Sequence, residues 1–322
     1  MPLNLLVTGG AGFLGSNFVS RTLATRPGIK VTVLDKLTYA GRRGYLPKDS
    51  DSFRFVLGDI LDEDLVFEET GHADAVIHFA AETHNDNSLK SPEKFFETNV
   101  LGSEILARAC ARLGKRFHHV STDEVFGDLP VGSSEKFSEA SPYRPSSPYS
   151  ASKAASDLLV RSYVRSFGLN ATITNCSNNF GLNQNWEKLI PNSVREAVNG
   201  LPITLYGNGQ NVRDWIHVDD HTEGIWSVLE KGEIGETYLL GGSNEINNHS
   251  LALKILAILD LPKDSIAFVQ DRPGHDLRYA IDFSKAKTKL GWAPLKTSNF
   301  MKELESVVLH YKEKVLSGEE NG

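Results

Sequence analysis

Two short stretches carry most of the reactive groups in this chain. Tyr149-Ser150-Ala151-Ser152-Lys153 sets a phenol and an ammonium four residues apart, which on a helix is one face and one turn. A nearby ammonium stabilises phenolate and lowers a tyrosine pKa from its reference of about 10 toward working pH. Such a tyrosine can take the proton of a carbinol while hydride leaves for a nicotinamide. The second stretch, Ser121-Thr122-Asp123-Glu124-Val125-Phe126-Gly127, sets a hydroxyl beside two carboxylates. A simple alcohol oxidation has no use for both acids. An elimination of water needs an acid for the departing hydroxyl and a base for the proton removed, roles that two carboxylates in unlike environments can divide. A solvated loop or helix cap would look the same in isolation.

A third stretch binds rather than reacts. Thr8-Gly9-Gly10-Ala11-Gly12-Phe13-Leu14-Gly15 satisfies G-x-G-x-x-G at Gly10, Gly12 and Gly15, and also offers glycine at every third position from Gly9. Backbone without Cβ atoms can approach a pyrophosphate resting on a helix N-terminus. Asp35 follows about 20 residues beyond Gly15, where an acid binds the adenosine ribose hydroxyls and repels a 2′-phosphate. That favours NAD over NADP, although Lys36 beside it weakens the inference slightly. Gly58-Asp59-Ile60 is placed to meet the adenine. His78-Phe79-Ala80-Ala81 offers small residues where a cofactor must pass close to backbone.

These groups need a scaffold, and the apolar pattern supplies one. Strands are expected at Leu3–Thr8, Lys30–Leu34, Phe53–Leu57, Ala75–Phe79, Phe117–Ser121 and Ala171–Asn175. Helices are expected between them at Leu14–Thr25, Asp62–Thr70, Pro92–Leu113 and Tyr149–Phe167. The alternation predicts an α/β fold of Rossmann type, a doubly wound parallel sheet covered on both faces. After residue 176, Asn, Gly and Pro become frequent and the elements should be shorter. This reads as a smaller C-terminal α/β substrate domain. The expected division is 1–176 for NAD, regaining a segment around 210–232, and 177–322 for substrate. Gly127–Pro148, rich in Gly, Pro and Ser, is expected to loop over the cleft.

Composition narrows the partners. The 322 residues carry a formal charge of −7, 40% hydrophobic and 23% charged residues. That is ordinary globular composition without the clustered Lys and Arg that phosphate backbones require, so no nucleic acid is expected. The cluster Lys36, Arg42, Arg43 is large enough for one phosphorylated ligand only. Two cysteines, Cys110 and Cys176, make no disulfide framework. No apolar run approaches a membrane span, and the N-terminus lacks a signal-peptide pattern. A soluble cytoplasmic protein is expected, with only the polar tail Ser317–Gly322 reading as disordered. No metal is expected. His217 and His221 have i, i+4 spacing but the two acids between them read as a helix start, and His118 and His119 on a strand face opposite ways.

Taken together, these motifs resemble the extended short-chain dehydrogenase/reductase superfamily and, within it, the dTDP-glucose 4,6-dehydratase family, over about residues 3–295. The most specific parts are Ser121–Asp128, Pro145–Lys153, Asn175–Gly181, Arg213–His221 and Asp271–Asp276. The resemblance implies that Tyr149 removes the sugar 4-hydroxyl proton as hydride passes to NAD, with Lys153 holding the nicotinamide ribose and Thr122 bonding the 4-hydroxyl. Glu124 then takes the carbon-5 proton, Asp123 protonates the departing 6-hydroxyl, and the hydride returns to carbon 6. The cofactor set it implies is Gly9, Gly12, Phe13, Leu14, Gly15, Asp35, Lys36, Leu37, Thr38, Asp59, Ile60, Ala80, Ala81, Thr83, Thr98, Tyr149, Lys153 and Asn179. The substrate set is His84, Thr122, Asn178, Lys188, Leu189, Thr204, Tyr206, Arg213, Asn248, Asp271, Arg272 and His275. A homodimer is implied, paired through Pro92–Leu113 and Tyr149–Phe167. Two departures stand near the sugar: Asn85 and Asn87 where the family has Val and Arg, and Leu182-Asn183-Gln184-Asn185-Trp186 in place of Pro-Tyr-x-x-Pro. A sugar-nucleotide 4-epimerase, which needs Tyr149 and Lys153 but not the acids, and an idle NAD-binding protein remain as alternatives.

Overall fold

The computed structural model describes residues 4–319; Leu3 and residues 320–322, at the ends of the expected first strand and tail, lie outside the described residues. The strands are β1 (Asn4–Thr8), β2 (Lys30–Asp35), β3 (Phe53–Leu57), β4 (Ala75–His78), β5 (Arg116–Thr122), β6 (Ala171–Cys176), β7 (Asn178–Phe180), β8 (Ile203–Tyr206), β9 (Val212–His217), β10 (Thr237–Leu240), β11 (Glu245–Asn247) and β12 (Ile266–Val269). The helices are α1 (Phe13–Thr25), α2 (Glu63–His72), α3 (Asn85–Lys90), α4 (Pro92–Phe96), α5 (Ser103–Leu113), α6 (Pro148–Phe167), α7 (Leu189–Val198), α8 (Val218–Lys231), α9 (Asn248–Ile258) and α10 (Phe300–Leu316).

Seven parallel strands form the main sheet in the order β10-β6-β5-β4-β1-β2-β3. Helices cover both faces, so central strands bury almost every side chain; β4 and β6 are buried along their whole length, Thr172, Thr174 and Asn175 included. Strand order reverses between β1 and β4, where a crevice opens at the carboxyl ends. Register brings Thr8 level with Leu34 and His78, and Thr122 level with Cys176. The functional stretches after β1, β2, β4, β5 and β6 therefore meet on one edge.

Beyond β6 the chain builds a smaller unit from sheets β11-β9-β7 and β12-β8 with α7, α9 and α10. Its core holds Phe180, Trp186, Trp215, Leu251, Leu304 and Tyr311. Strands there are short, as expected, but α8 and α10 run 14 and 17 residues, which corrects the expectation of shorter helices. Helix α8 returns to the large sheet: Trp226 stacks on Phe18 of α1 at 5.7 Å and its indole N–H donates to Thr22. His217 caps α8, its ring nitrogen accepting from the Asp219 amide, so the His217/His221 pair is a helix start.

Two expectations change. Pro92–Leu113 is not one continuous helix, because a π-helical turn at Glu97–Gly102 separates α4 from α5. The Asn99 side chain there is consumed in tertiary bonds, accepting from Glu82 N–H and donating to the Glu82 carbonyl and the Ser152 hydroxyl. Such widened turns concentrate at functional positions, and this one carries Thr98 into the cleft wall. The segment Gly127–Pro148 does not cover the cleft. It is pinned to residues 278–282 by Leu129 N–H to Arg278, Phe137 N–H to Ala280 and Asp282 N–H to Phe137, because Phe126, Leu129 and Phe137 belong to an apolar cluster with Tyr279, Ala280 and Ile281.

Candidate active site

The glycine turn forms the first wall. A Cβ on Gly9 would lie 2.5 Å from the Ala80 nitrogen, and one on Gly15 would lie 2.4 Å from the Gly9 carbonyl oxygen. Both positions therefore exclude side chains. Gly12 is the N-cap of α1, no side chain caps it, and no acid occupies the first turn. The end of α1 thus presents uncompensated N–H groups to an anion. Asp35 binds this turn to the second strand: one carboxylate oxygen accepts from Ala11 N–H and the other from Leu37 N–H, each at 2.8 Å. Burial raises its pKa, and the two amide bonds oppose that rise. Lys36 pairs with Asp59 at 2.6 Å.

The reactive wall comes from β5 and α6. Ser147 caps α6 in a reciprocal box with Ser150, and Pro148 sits at the first turn, so the run Ser147-Pro148-Tyr149-Ser150 starts the helix where it stands. Tyr149 and Lys153 are both buried on one face. Lys153 Nζ donates to the Val120 carbonyl at 2.8 Å. Burial lowers its pKa to about 8, against the field of Asp157. The lowering of Tyr149 expected from Lys153 is not observed. Burial, then the Glu124 carboxylate, push the phenol well above its ordinary value, while a bond with Thr122 opposes them. The ammonium is engaged at the Val120 carbonyl, and Tyr149 is a neutral phenol in this state.

The two adjacent acids occupy unlike surroundings. Asp123 is fully buried, and its Oδ2 has no hydrogen-bond partner. Burial, then Glu124 and Asp214, raise its pKa well above the carboxylate range. Its surroundings therefore favour the protonated acid, the form that can give a proton. Glu124 is half-buried, and its Oε2 accepts from Asn85 Nδ2 at 2.9 Å.

Two adjoining cavities, each of about 310 Å³, share this wall. The first is lined by every residue of the expected cofactor set except Leu37, whose contribution is its backbone bond to Asp35. It also holds Thr122, Asp123 and Glu124. The second is lined by His84, Asn178, Lys188, Leu189, Thr204, Tyr206, Arg213, Asn248, Arg272 and His275. Asp271 does not line it; its carboxylate bonds His275 Nδ1 at 2.6 Å and holds that ring. Glu124, Asn178, Asn179 and Lys188 face both cavities. In the second, Arg213 bonds the carbonyls of Val212 and Asp276 and lies 4.3 Å over the Tyr279 ring. Arg272 pairs with Asp86 at 3.4 Å.

Sequence reasoning missed Asn85, Gln184, Glu187, Glu196 and Tyr279, all of which line a cavity. Asn85 and Gln184 lay in the two departures from the family pattern, which was the available signal. Asn87, the other substituted position of the first departure, lines neither cavity and bonds His84. Trp186 is core, packed edge-on against Tyr311. The site fits a hydroxyl-rich dinucleotide and sugar on its own geometry. The side-chain oxygens of Asn178, Asn179, Gln184 and Asn248 are buried without partners, and all four residues line the cavity walls; each needs a donor.

Comparisons with known proteins identify the family. A family model described as GDP-mannose 4,6 dehydratase matches residues 6–303. A dTDP-glucose 4,6-dehydratase of Mycobacterium tuberculosis (strain ATCC 25618 / H37Rv) is 49% identical over 311 residues, 97% of this chain and 94% of that protein. The enzyme of the same description from Streptomyces venezuelae, solved with NAD and TYD bound, superposes with a TM-score of 0.92 at 46% identity, covering 96% of this chain and 97% of that one. A UDP-glucose 4-epimerase from Thermotoga maritima, solved with UDP-glucose, shares the fold at TM-score 0.88 but only 26% identity, with 97% and 99% covered. By sequence, fold and the buried acid beside Glu124, the chain belongs to the dTDP-glucose 4,6-dehydratases of the extended short-chain dehydrogenase/reductase superfamily.

Proposed function

We propose that the first cavity holds NAD, that the second holds the nucleotide diphosphate, and that the sugar lies at the wall they share. The chain is an NAD-dependent lyase that converts dTDP-glucose to dTDP-4-keto-6-deoxyglucose. The glycine turn, Asp35 and Lys153 would hold NAD, whose nicotinamide would supply the hydride acceptor for sugar carbon 4 and the hydride donor for carbon 6. The chain's own residues manage the protons. Tyr149 must first give up its own proton; as phenolate, held by the positive charge of Lys153, it takes the 4-hydroxyl proton, with Thr122 bonding that hydroxyl. The new ketone acidifies the carbon-5 hydrogen, and Glu124 removes it and gives a proton back to carbon 5 when hydride enters carbon 6. Asp123 gives its proton to the departing 6-hydroxyl.

The observation that carries this reading is the fully buried Asp123, whose Oδ2 has no partner and whose pKa burial raises, next to the half-buried Glu124. An epimerase needs no such donor. The test is incubation with several nucleotide-hexoses followed by mass measurement. Loss of one water from dTDP-glucose is expected; an isomer of unchanged mass returns the epimerase.

For the assembly we infer a homodimer through α4, α5 and α6, the reading supported by exposed Phe96, Leu101 and Leu158 on these neighbouring elements. Isologous pairs are the commonest assembly, and a monomeric mass by light scattering at micromolar concentration overturns this one. We also infer that residues 1–176, with the returning segment at 210–232, serve NAD while 177–322 serve the sugar nucleotide; the packing of α8 on α1 supports this. A cytoplasmic location is supported by two free, buried cysteines. Among the described residues no helix is long and apolar enough to cross a membrane.

A further inference from the structure

Asn85, at the start of α3, joins two parts of the site. Its Nδ2 donates to Glu124 Oε2 at 2.9 Å, and its Oδ1 accepts from Ser147 Oγ at 2.8 Å. Chemistry fixes the amide's orientation, since an ionised carboxylate only accepts and a hydroxyl can supply the other proton. Ser147 in turn caps α6 through the Ser150 amide, two residues before Tyr149. One amide therefore ties the side chain of Glu124 to the helix end that carries Tyr149. Glu124 reaches this contact from the short helical turn Asp123–Phe126, whose N-cap is Thr122. A glutamate has three rotatable side-chain torsions, and holding one oxygen settles where the other points.

We propose that Asn85 is a positioning residue for the elimination step: by holding Oε2 of Glu124 it presents Oε1 to the carbon-5 hydrogen, in register with Tyr149 at carbon 4. This rests on the reading that Glu124 is the base. Valine, which the resembling pattern carries at this position, has the bulk to fill the site but can make neither bond, so here the chain fixes its base with a neutral amide. A charge-assisted hydrogen bond lost from a half-buried carboxylate, with the freed side chain sampling other rotamers, lowers the population of the productive geometry by about tenfold.

The experiment compares the NAD-loaded wild-type protein, Asn85→Val, Glu124→Gln and the double variant, each mixed with dTDP-glucose. Two rates are read separately: appearance of NADH absorbance, and release of dehydrated product by mass. A carbon-5 deuterated substrate gives a third reading. In Asn85→Val, product release is expected to fall about tenfold more than NADH formation, so that NADH accumulates, and the carbon-5 isotope effect on turnover is expected to rise. In the Glu124→Gln background, Asn85→Val is expected to add no further loss, because the two residues act as one unit. An unchanged ratio of the two rates overturns the proposal, as does a full additive loss in the double variant. Should wild-type protein release no dehydrated product, the reading of Glu124 as base falls with it; a dehydrating wild type with a silent Asn85→Val overturns the positioning role alone.

Discussion

The two cavities share a wall that includes Glu124 and Glu187, yet they are built by opposite means. The cofactor side is assembled from the ends of strands of one sheet, β1 to β6, whose register sets Thr8 level with His78 and Thr122 level with Cys176. The sugar-nucleotide side gathers residues from positions 84, 178, 188, 204, 213, 248, 272 and 275, carried by loops, short strands and helix ends. A sheet edge is rigid and its chemistry is set by local turn motifs. A wall of loops takes its shape from how the small domain packs, and can change its specificity without disturbing the sheet.

The largest expected effects lie at the shared wall. Tyr149→Phe removes the proton acceptor for the first step and should cut NADH formation from dTDP-glucose by about 10²–10⁴. Glu124→Gln spares that step, so NADH should appear in a stopped-flow trace while dehydrated product falls by about 10²–10³. If Glu124→Gln dehydrates at the unaltered rate, the acid pair is structural and the wall has no catalytic division.

The next pair crosses the two cavities. Arg272→Ala removes a cation from the second cavity and should raise the KM for dTDP-glucose by about 10–100-fold, with NAD affinity by calorimetry unchanged. Asp35→Ala should do the reverse, weakening NAD about tenfold and leaving the sugar nucleotide untouched. Loss of both affinities in either variant would show that the cavities are not separable. Equal or tighter binding of NADP by the unaltered protein would remove the role given to Asp35.

The smallest effect is in stability and belongs to the buried lysine. Burial sets Lys153 at about 8 in the folded protein, against 10.5 for a free side chain. Below pH 8 the ammonium is charged in both states, so the folded state carries the full penalty. Between about 8 and 10.5 the folded form sheds its proton first and the penalty fades. Lys153→Met should accordingly stabilise the protein by about 2–3 kcal/mol at pH 7, measured by chemical denaturation, with the gain gone by pH 10.5. A gain that grows with pH would contradict this sign.

How much of this was legible follows from the range of the interactions. The glycine turn, Asp35 and the Tyr149/Lys153 pair were readable because each motif acts over a few residues of one strand or helix. The helix start at Ser147-Pro148 was equally local. The break in Pro92–Leu113 was not, since it depends on Asn99 finding Glu82 and Ser152 across the fold. Nor was the docking of Gly127–Pro148 on residues 278–282, where apolar contacts nearly 150 positions apart decide the path.

The sequence by itself determined the sheet and the glycine turn and put forward the candidate catalytic groups, because parallel strands and tight turns leave periodic and compositional marks. Tertiary structure decided the protonation and aim of those groups. Tyr149 rests as a phenol because burial and Glu124 outweigh an ammonium engaged at Val120. Burial raises the pKa of Asp123 while its neighbour is held by Asn85. Desolvation and hydrogen-bond partners come from residues brought together only in three dimensions, and no spacing along the chain encodes them.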